Sequence, residues 1–98
     1  MIYNIAKTLV DHEDNVAKEF VKGVETEITV KMGLIKALLA EGTQSVEEKM
    51  KRFELFLKLK AAEVEAELSA EEAALLHKAV EVFPTLVMGQ LKRFIDQK

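Results

Sequence analysis

Residues 2–39, IYNIAKTLVDHEDNVAKEFVKGVETEITVKMGLIKALL, decide the fold that this sequence predicts. At the helical turn of about 100° per residue, one side of this stretch is apolar along almost its whole length. The residues on that side are Ile2, Ala6, Leu9, Val10, Ala17, Phe20, Val21, Val24, Ile28, Ile35, Leu38 and Leu39. Only Glu13 and Lys31 interrupt it. The stretch is therefore predicted to be one long amphipathic helix, or two collinear helices.

Two segments within this stretch leave alternatives open. Residues 11–15, DHEDN, carry Asp and Asn side chains that compete with the backbone for hydrogen bonds, so we expect a kink or a new helix start there. Residues 24–32 alternate between apolar and polar side chains and are rich in β-branched residues, which is typical of a strand. We favour a helix over 24–32, because the apolar phase continues on both sides and no second segment alternates as well.

The second half of the chain carries clear helix boundaries. Gly42 suits the position that follows a helix. Capping boxes, in which a serine is followed three residues later by a glutamate, begin at Ser45 and Ser69. Pro84 can end one helix and open the next. The helices that these boundaries predict span about residues 46–67, 70–82 and 85–96.

The predicted fold class is therefore all-α, with a single helical domain over residues 1–98. A long N-terminal helix, with a possible kink near residues 11–15, would pack with an antiparallel second helix and two shorter C-terminal helices. A straight helix over 2–39 would be about 57 Å long. A compact domain of this length has a radius of gyration of only about 13 Å, so either the first helix breaks or a second chain covers it.

The second predicted helix has two apolar stripes on nearly opposite sides, whereas a surface helix needs only one. The stripe expected to face the core is Val46, Met50, Phe53, Leu57, Val64 and Leu68. The other stripe is Leu55, Leu59, Ala62 and Ala66. We predict a helical homodimer, and we assign this second stripe to the interface with the partner.

Composition excludes several classes of function. The chain has 14 basic and 17 acidic residues, and no segment is basic enough to favour nucleic acid. It has no cysteine, which excludes disulfides and thiolate metal sites. No apolar run is long enough to span a membrane, and the first residues lack the pattern of a signal peptide, so we expect a cytoplasmic protein.

No catalytic or metal-binding pattern stands out. His12 lies among acidic residues, but none of them is three or four positions away, as ligands on one helix face must be. His77 has only Glu81 at such a spacing. Capping explains Thr43, Ser45 and Ser69. We therefore predict no enzyme activity and no cofactor, and a small protein–protein interaction module that acts as an adaptor, inhibitor or regulator.

One alternative function comes from a resemblance. Residues 28–32, ITVKM, followed by a Leu-rich helix, residues 42–45, GTQS, and a second capped helix resemble a ribbon-helix-helix repressor. The resemblance covers about residues 27–60 and implies an intertwined dimer that inserts a two-stranded ribbon, here with a strand at 24–32, into the DNA major groove. Thr29 and Lys31 would then be the outward-facing residues that contact DNA.

Overall fold

Residues 2–40 form strands and turns before a single helix, so the long N-terminal helix predicted over 2–39 is wrong. The computed structural model describes residues 2–40 and 42–96. Its first elements are β1 (Ile2–Asn4), β2 (Lys18–Val21), β3 (Val24–Glu27) and α1 (Val30–Leu39). In the described residues, four α-helices accompany two two-stranded antiparallel sheets. The fold is mixed α/β, and the all-α prediction is corrected accordingly.

Residues 24–32, which could form either a helix or a strand, contain the strand β3 followed by the start of α1. β3 pairs with β2 in an antiparallel hairpin, with Phe20 opposite Glu25. The turn residues Lys22 and Gly23 have φ angles of 53° and 81°. A two-residue hairpin turn with positive φ at both positions matches the right-handed twist of the strands, and glycine adopts it without strain. The sequence does not indicate β2 as the partner strand, because its residues, KEFV, do not alternate between polar and apolar side chains.

Residues 11–15 form a tight turn between extended segments, not a helix kink. The Asp11 carboxylate accepts hydrogen bonds from the backbone N–H groups of Glu13 and Asn15, at 2.8 and 3.1 Å. Val10 and Val16 pair across the turn in an isolated antiparallel bridge. The predicted competition between side chain and backbone therefore occurs, and it reverses the chain.

The N-terminal segment, residues 2–10, lies between strand β4 (Glu65–Glu67) and the start of α1. β1 pairs with β4, placing Tyr3 opposite Ala66. The carbonyl groups of Ile5 and Lys7 accept hydrogen bonds from the first backbone N–H groups of α1, at 2.9 and 2.8 Å. The Tyr3 hydroxyl donates to the Ile95 carbonyl at 2.9 Å, which ties β1 to the last helix. A segment predicted as the start of a long helix thus joins both halves of the chain.

The later helices begin where the sequence predicts. They are α2 (Val46–Ala61), α3 (Ala70–Ala79), followed by a 3₁₀ turn (Val80–Val82), and α4 (Thr85–Ile95). The Ser69 capping box is complete, with hydrogen bonds in both directions between Ser69 and Glu72. Pro84 is the N-cap of α4. α2 ends about six residues earlier than predicted, because residues 65–67 form β4 instead.

One hydrophobic core unites these elements. Its fully buried side chains come from the N-terminal segment, all the helices and the loop after β4: Ile5, Val30, Leu34, Leu59, Leu68, Leu76, Val80 and Leu91. α1 and α4 approach closely at Gly33, where an added Cβ would lie 3.1 Å from a Leu91 methyl group. The radius of gyration is 13.2 Å, as expected for a compact domain of this size. The chain thus becomes compact by forming strands, without a second chain.

Candidate interaction surface

α2 has two different apolar faces, and only one of them is buried against the rest of the chain. The buried face carries Leu55 and Leu59, together with Arg52. The opposite face carries Val46, Met50, Phe53 and Leu57, whose exposed fractions lie between 47% and 78%. We call these four residues the outer stripe. They are large apolar side chains held in water on a rigid helix, which is uncommon unless another molecule covers them.

The residues assigned to an interface from the sequence lie inside this chain. Leu55, Leu59 and Ala66 are 3%, 0% and 5% exposed, and Ala62 is partly buried against the same core. Ala66 also pairs with Tyr3 in the β1–β4 sheet.

Both predicted apolar stripes exist, but their exposures are largely exchanged. The stripe expected to face the core is exposed from Val46 to Val64, and its last member, Leu68, is buried after β4. An apolar surface contact through α2 therefore involves the outer stripe.

The outer stripe has the spacing of a helix–helix seam. Its residues follow one another at intervals of four, three and four positions, which keeps them in one line along α2. The Phe56 ring lies beside Phe53, with 6.2 Å between the two ring centres. The Lys60 ammonium group lies 5.9 Å from the centre of the Phe56 ring. Together these side chains form an apolar strip with an aromatic edge.

The two flanks of the outer stripe carry opposite charge. At 100° per residue, Glu47 and Glu54 lie on one side of it, and Lys49 lies on the other. Glu47 makes a long ion pair with Lys51, at 3.8 Å. Within the described residues, neither Lys49 nor Glu54 has an ion-pair partner. Their charges are therefore available to a molecule that binds along α2.

A groove of about 630 Å³, lined by both charged and apolar side chains, separates the acidic flank from α3. Its walls carry five carboxylates, those of Glu47, Glu48, Glu54, Glu71 and Glu72, with the Lys51 ammonium among them. Within the described part of the chain, no group of three or more His, Cys, Asp or Glu residues is arranged to hold a metal ion. The groove is thus a charged border beside the outer stripe.

The carboxylates of the groove that have shifted pKa values are held ionised. The pKa of Glu48 lies below its usual value, chiefly because Lys78 donates a hydrogen bond to it at 2.9 Å. Burial raises the pKa of Glu72, but hydrogen bonds from Lys58 and Ser69 outweigh that effect, so its pKa is also lowered. A carboxylate of this kind carries no proton at neutral pH and cannot act as a general acid.

Arg52 links the groove to the core. Its side chain is 7% exposed, its Nη2 lies 3.3 Å from Glu48 Oε2, and its Nη1 donates to the Ala37 carbonyl at 3.4 Å. That carbonyl belongs to the last turns of α1, where a cation is favourable. Arg52 Nε is buried without a hydrogen-bond partner. No pattern in the sequence indicates that a charged residue lies on the buried face of α2.

The residues of the DNA-binding alternative are used within the chain. Thr29 is the N-cap of α1, and its hydroxyl oxygen accepts from the Met32 N–H at 3.2 Å. The Lys31 ammonium donates to the carbonyl oxygens of Lys60 and Ala62, at 3.2 and 2.6 Å, at the C-terminal end of α2. β3 pairs with β2 of the same chain. No observation favours this alternative over an interaction module.

The two histidines are far apart in the sequence, and each contacts a different carboxylate. His12 Nε2 is 3.6 Å from a Glu13 carboxylate oxygen, and both side chains are exposed. His77 Nε2 lies 3.1 Å from Asp96 Oδ2. Each is a single surface contact with a carboxylate, and neither lines the groove beside α2.

Searches against models of protein families, curated proteins and solved structures found no match to this chain. None of the helices in the described ranges is both long enough and apolar enough to cross a membrane. The assignment of function therefore depends on the chain's own surface chemistry.

Proposed function

We propose that this chain is a small, non-enzymatic protein–protein interaction module and that the outer stripe of α2 is its binding surface. The observation that carries the proposal is the exposure of Val46, Met50, Phe53 and Leu57 on one line of a helix whose other side is buried. The helix is already folded and anchored in the core, so binding does not have to pay for ordering it. Apolar residues in a row on such a helix suit a helical or grooved apolar partner.

The charged groove supports binding rather than catalysis. Glu48 and Glu72 are paired with Lys78 and Lys58, so they are stable anions and not groups poised to exchange protons near neutral pH. Such a border can orient a charged partner along α2. We place the protein in the cytoplasm, a proposal with which the lack of cysteine in its 98 residues agrees.

Site-specific photocrosslinking tests this function. A photoreactive phenylalanine analogue is placed at Met50 or Leu57, and the variant is irradiated in an extract of cells that produce the protein. We expect protein adducts, to a second copy or to another chain, at several times the yield obtained from position 82. Val82 is the matched control, because it is an apolar residue 55% exposed on a different element. Equal, low yields at all three positions would remove the proposal.

A further inference from the structure

We infer, on the basis of the proposed function, that the outer stripe binds a second copy of this chain. In this dimer the two α2 helices run parallel and in register, and Lys49 of each chain pairs with Glu54 of the partner subunit.

The apolar spacing defines the seam. In a two-helix coil, the residues that face the partner repeat every seven positions as an a and d pair. Met50 and Leu57 fit a, and Val46 and Phe53 fit d. α2 has 16 residues and so presents about two such repeats. An isolated helix this short would be marginal in water, but α2 is held in shape by its buried face.

The flanking charges select the parallel arrangement. The positions that flank an a and d seam are called e and g. In α2 the e positions are Glu47 and Glu54, and the g positions are Lys49 and Phe56. Parallel helices place each g residue beside the e residue five positions later in the partner. Lys49 would meet Glu54 of the partner subunit, twice by symmetry. An antiparallel pair would instead bring the glutamates of the two e flanks together.

The structure leaves these groups free to make that contact. Within the described residues Lys49 and Glu54 have no ion pair of their own. Lys60 occupies the d position after Leu57, and its ammonium group lies beside the Phe56 ring instead of continuing the line. The apolar seam therefore spans Val46 to Leu57.

Charge reversal tests orientation by the sign of its effect. Sedimentation equilibrium of the purified wild-type chain should show a dimer, and Glu54→Lys or Lys49→Glu should weaken it roughly tenfold. The double variant, Lys49→Glu with Glu54→Lys, should restore the affinity to within roughly threefold. If Glu54→Lys strengthens the dimer, the helices are antiparallel and the inference is wrong. Circular dichroism of each variant checks that it remains folded.

Disulfide formation gives a second readout that does not depend on charge. The native chain has no cysteine, so single-cysteine variants report unambiguously. In a parallel pair, Val46→Cys and Leu57→Cys each form a disulfide with the same residue of the partner subunit. An antiparallel pair would crosslink only a mixture of the two variants. Val82→Cys, outside the seam, should remain uncrosslinked.

Failure of this inference can be separated from failure of the proposed function. A purified chain that stays monomeric at hundreds of micromolar overturns the dimer. If positions 50 and 57 then capture a different protein in the photocrosslinking experiment, the interaction module stands with another partner. If they capture nothing above position 82, both proposals fail.

Discussion

Leu59→Ala is expected to lower the free energy of unfolding by about 3 kcal/mol, whereas Leu57→Ala should lower it by less than about 1 kcal/mol. Leu59 is fully buried in the core, and Leu57 is 47% exposed on the outer stripe. Removing the buried side chain loses its transfer free energy and leaves a cavity. Removing the exposed one loses little, because water already covers half of it. Urea denaturation followed by circular dichroism measures both values.

The two substitutions form a matched pair. They change the same residue type at two positions of one helix, so the change in helix propensity is the same and cancels in the comparison. The measurement should be made at low protein concentration, since dimer formation would add to the apparent stability. Equal losses, or a larger loss at Leu57, would contradict the burial of Leu59 and the exposure of Leu57.

Arg52→Met is expected to destabilise the fold by roughly 1–3 kcal/mol, the range for removing one partner of a buried hydrogen bond. The substitution keeps an unbranched side chain of similar length but removes the cation. The Ala37 carbonyl then loses the hydrogen bond from Arg52, and Glu48 Oε2 loses the cation 3.3 Å away. Glu48 keeps its contact with Lys78, which limits the loss. The measurement is again urea denaturation, at neutral pH.

Lys51→Met is the control for this variant. Lys51 is the preceding residue, but its side chain is 54% exposed, and its contacts with Glu47 and Glu71 are 3.8 and 3.9 Å long. Surface ion pairs of this kind contribute about 0–1 kcal/mol, so we expect a change within that range. If Arg52→Met and Lys51→Met behave alike, the buried network does not stabilise the fold.

Acid titration checks the same network independently. The pKa of Glu48 is lower in the folded chain than its usual 4.5, so the unfolded chain binds more protons below that pH. The stabilising contribution of Glu48 is therefore present above about pH 4.5 and is lost as the pH falls through the lower, folded pKa. Glu48→Gln should flatten this part of the stability profile.

The C-terminal half of the fold could be predicted because its signals are local. Helix starts are marked by the side-chain caps of Ser45 and Ser69 and by the fixed backbone angle of Pro84, all of which act within one helical turn. The three helices begin at the predicted positions. The N-terminal half depends on pairing between distant segments, such as β1 with β4. Apolar residues of strands and turns happened to share one helical phase, and that pattern outweighed the alternation at residues 24–27.

The faces of α2 show a second limit of sequence patterns. Two apolar stripes indicate that a helix has two apolar sides, but not which side its own chain covers. Here the smaller set, with two alanines, lies toward the core, and the bulkier set with Phe53 and Met50 lies outside. Arg52 completes the buried face, although a charged residue normally marks a solvated side. The packing of α1 against α2 decides between the two.

The labelling rate of single cysteines tests the central claim, the outward orientation of the apolar stripe, most directly. Leu57→Cys and Leu59→Cys are kept reduced and then treated with a thiol reagent over a range of protein concentrations. We predict that the cysteine at position 57 reacts rapidly in dilute solution and more slowly as the concentration rises. The cysteine at position 59 should react at least about a hundredfold more slowly at every concentration, because it must wait for the core to open. Equal rates at the two positions, or faster labelling at position 59, would contradict the account.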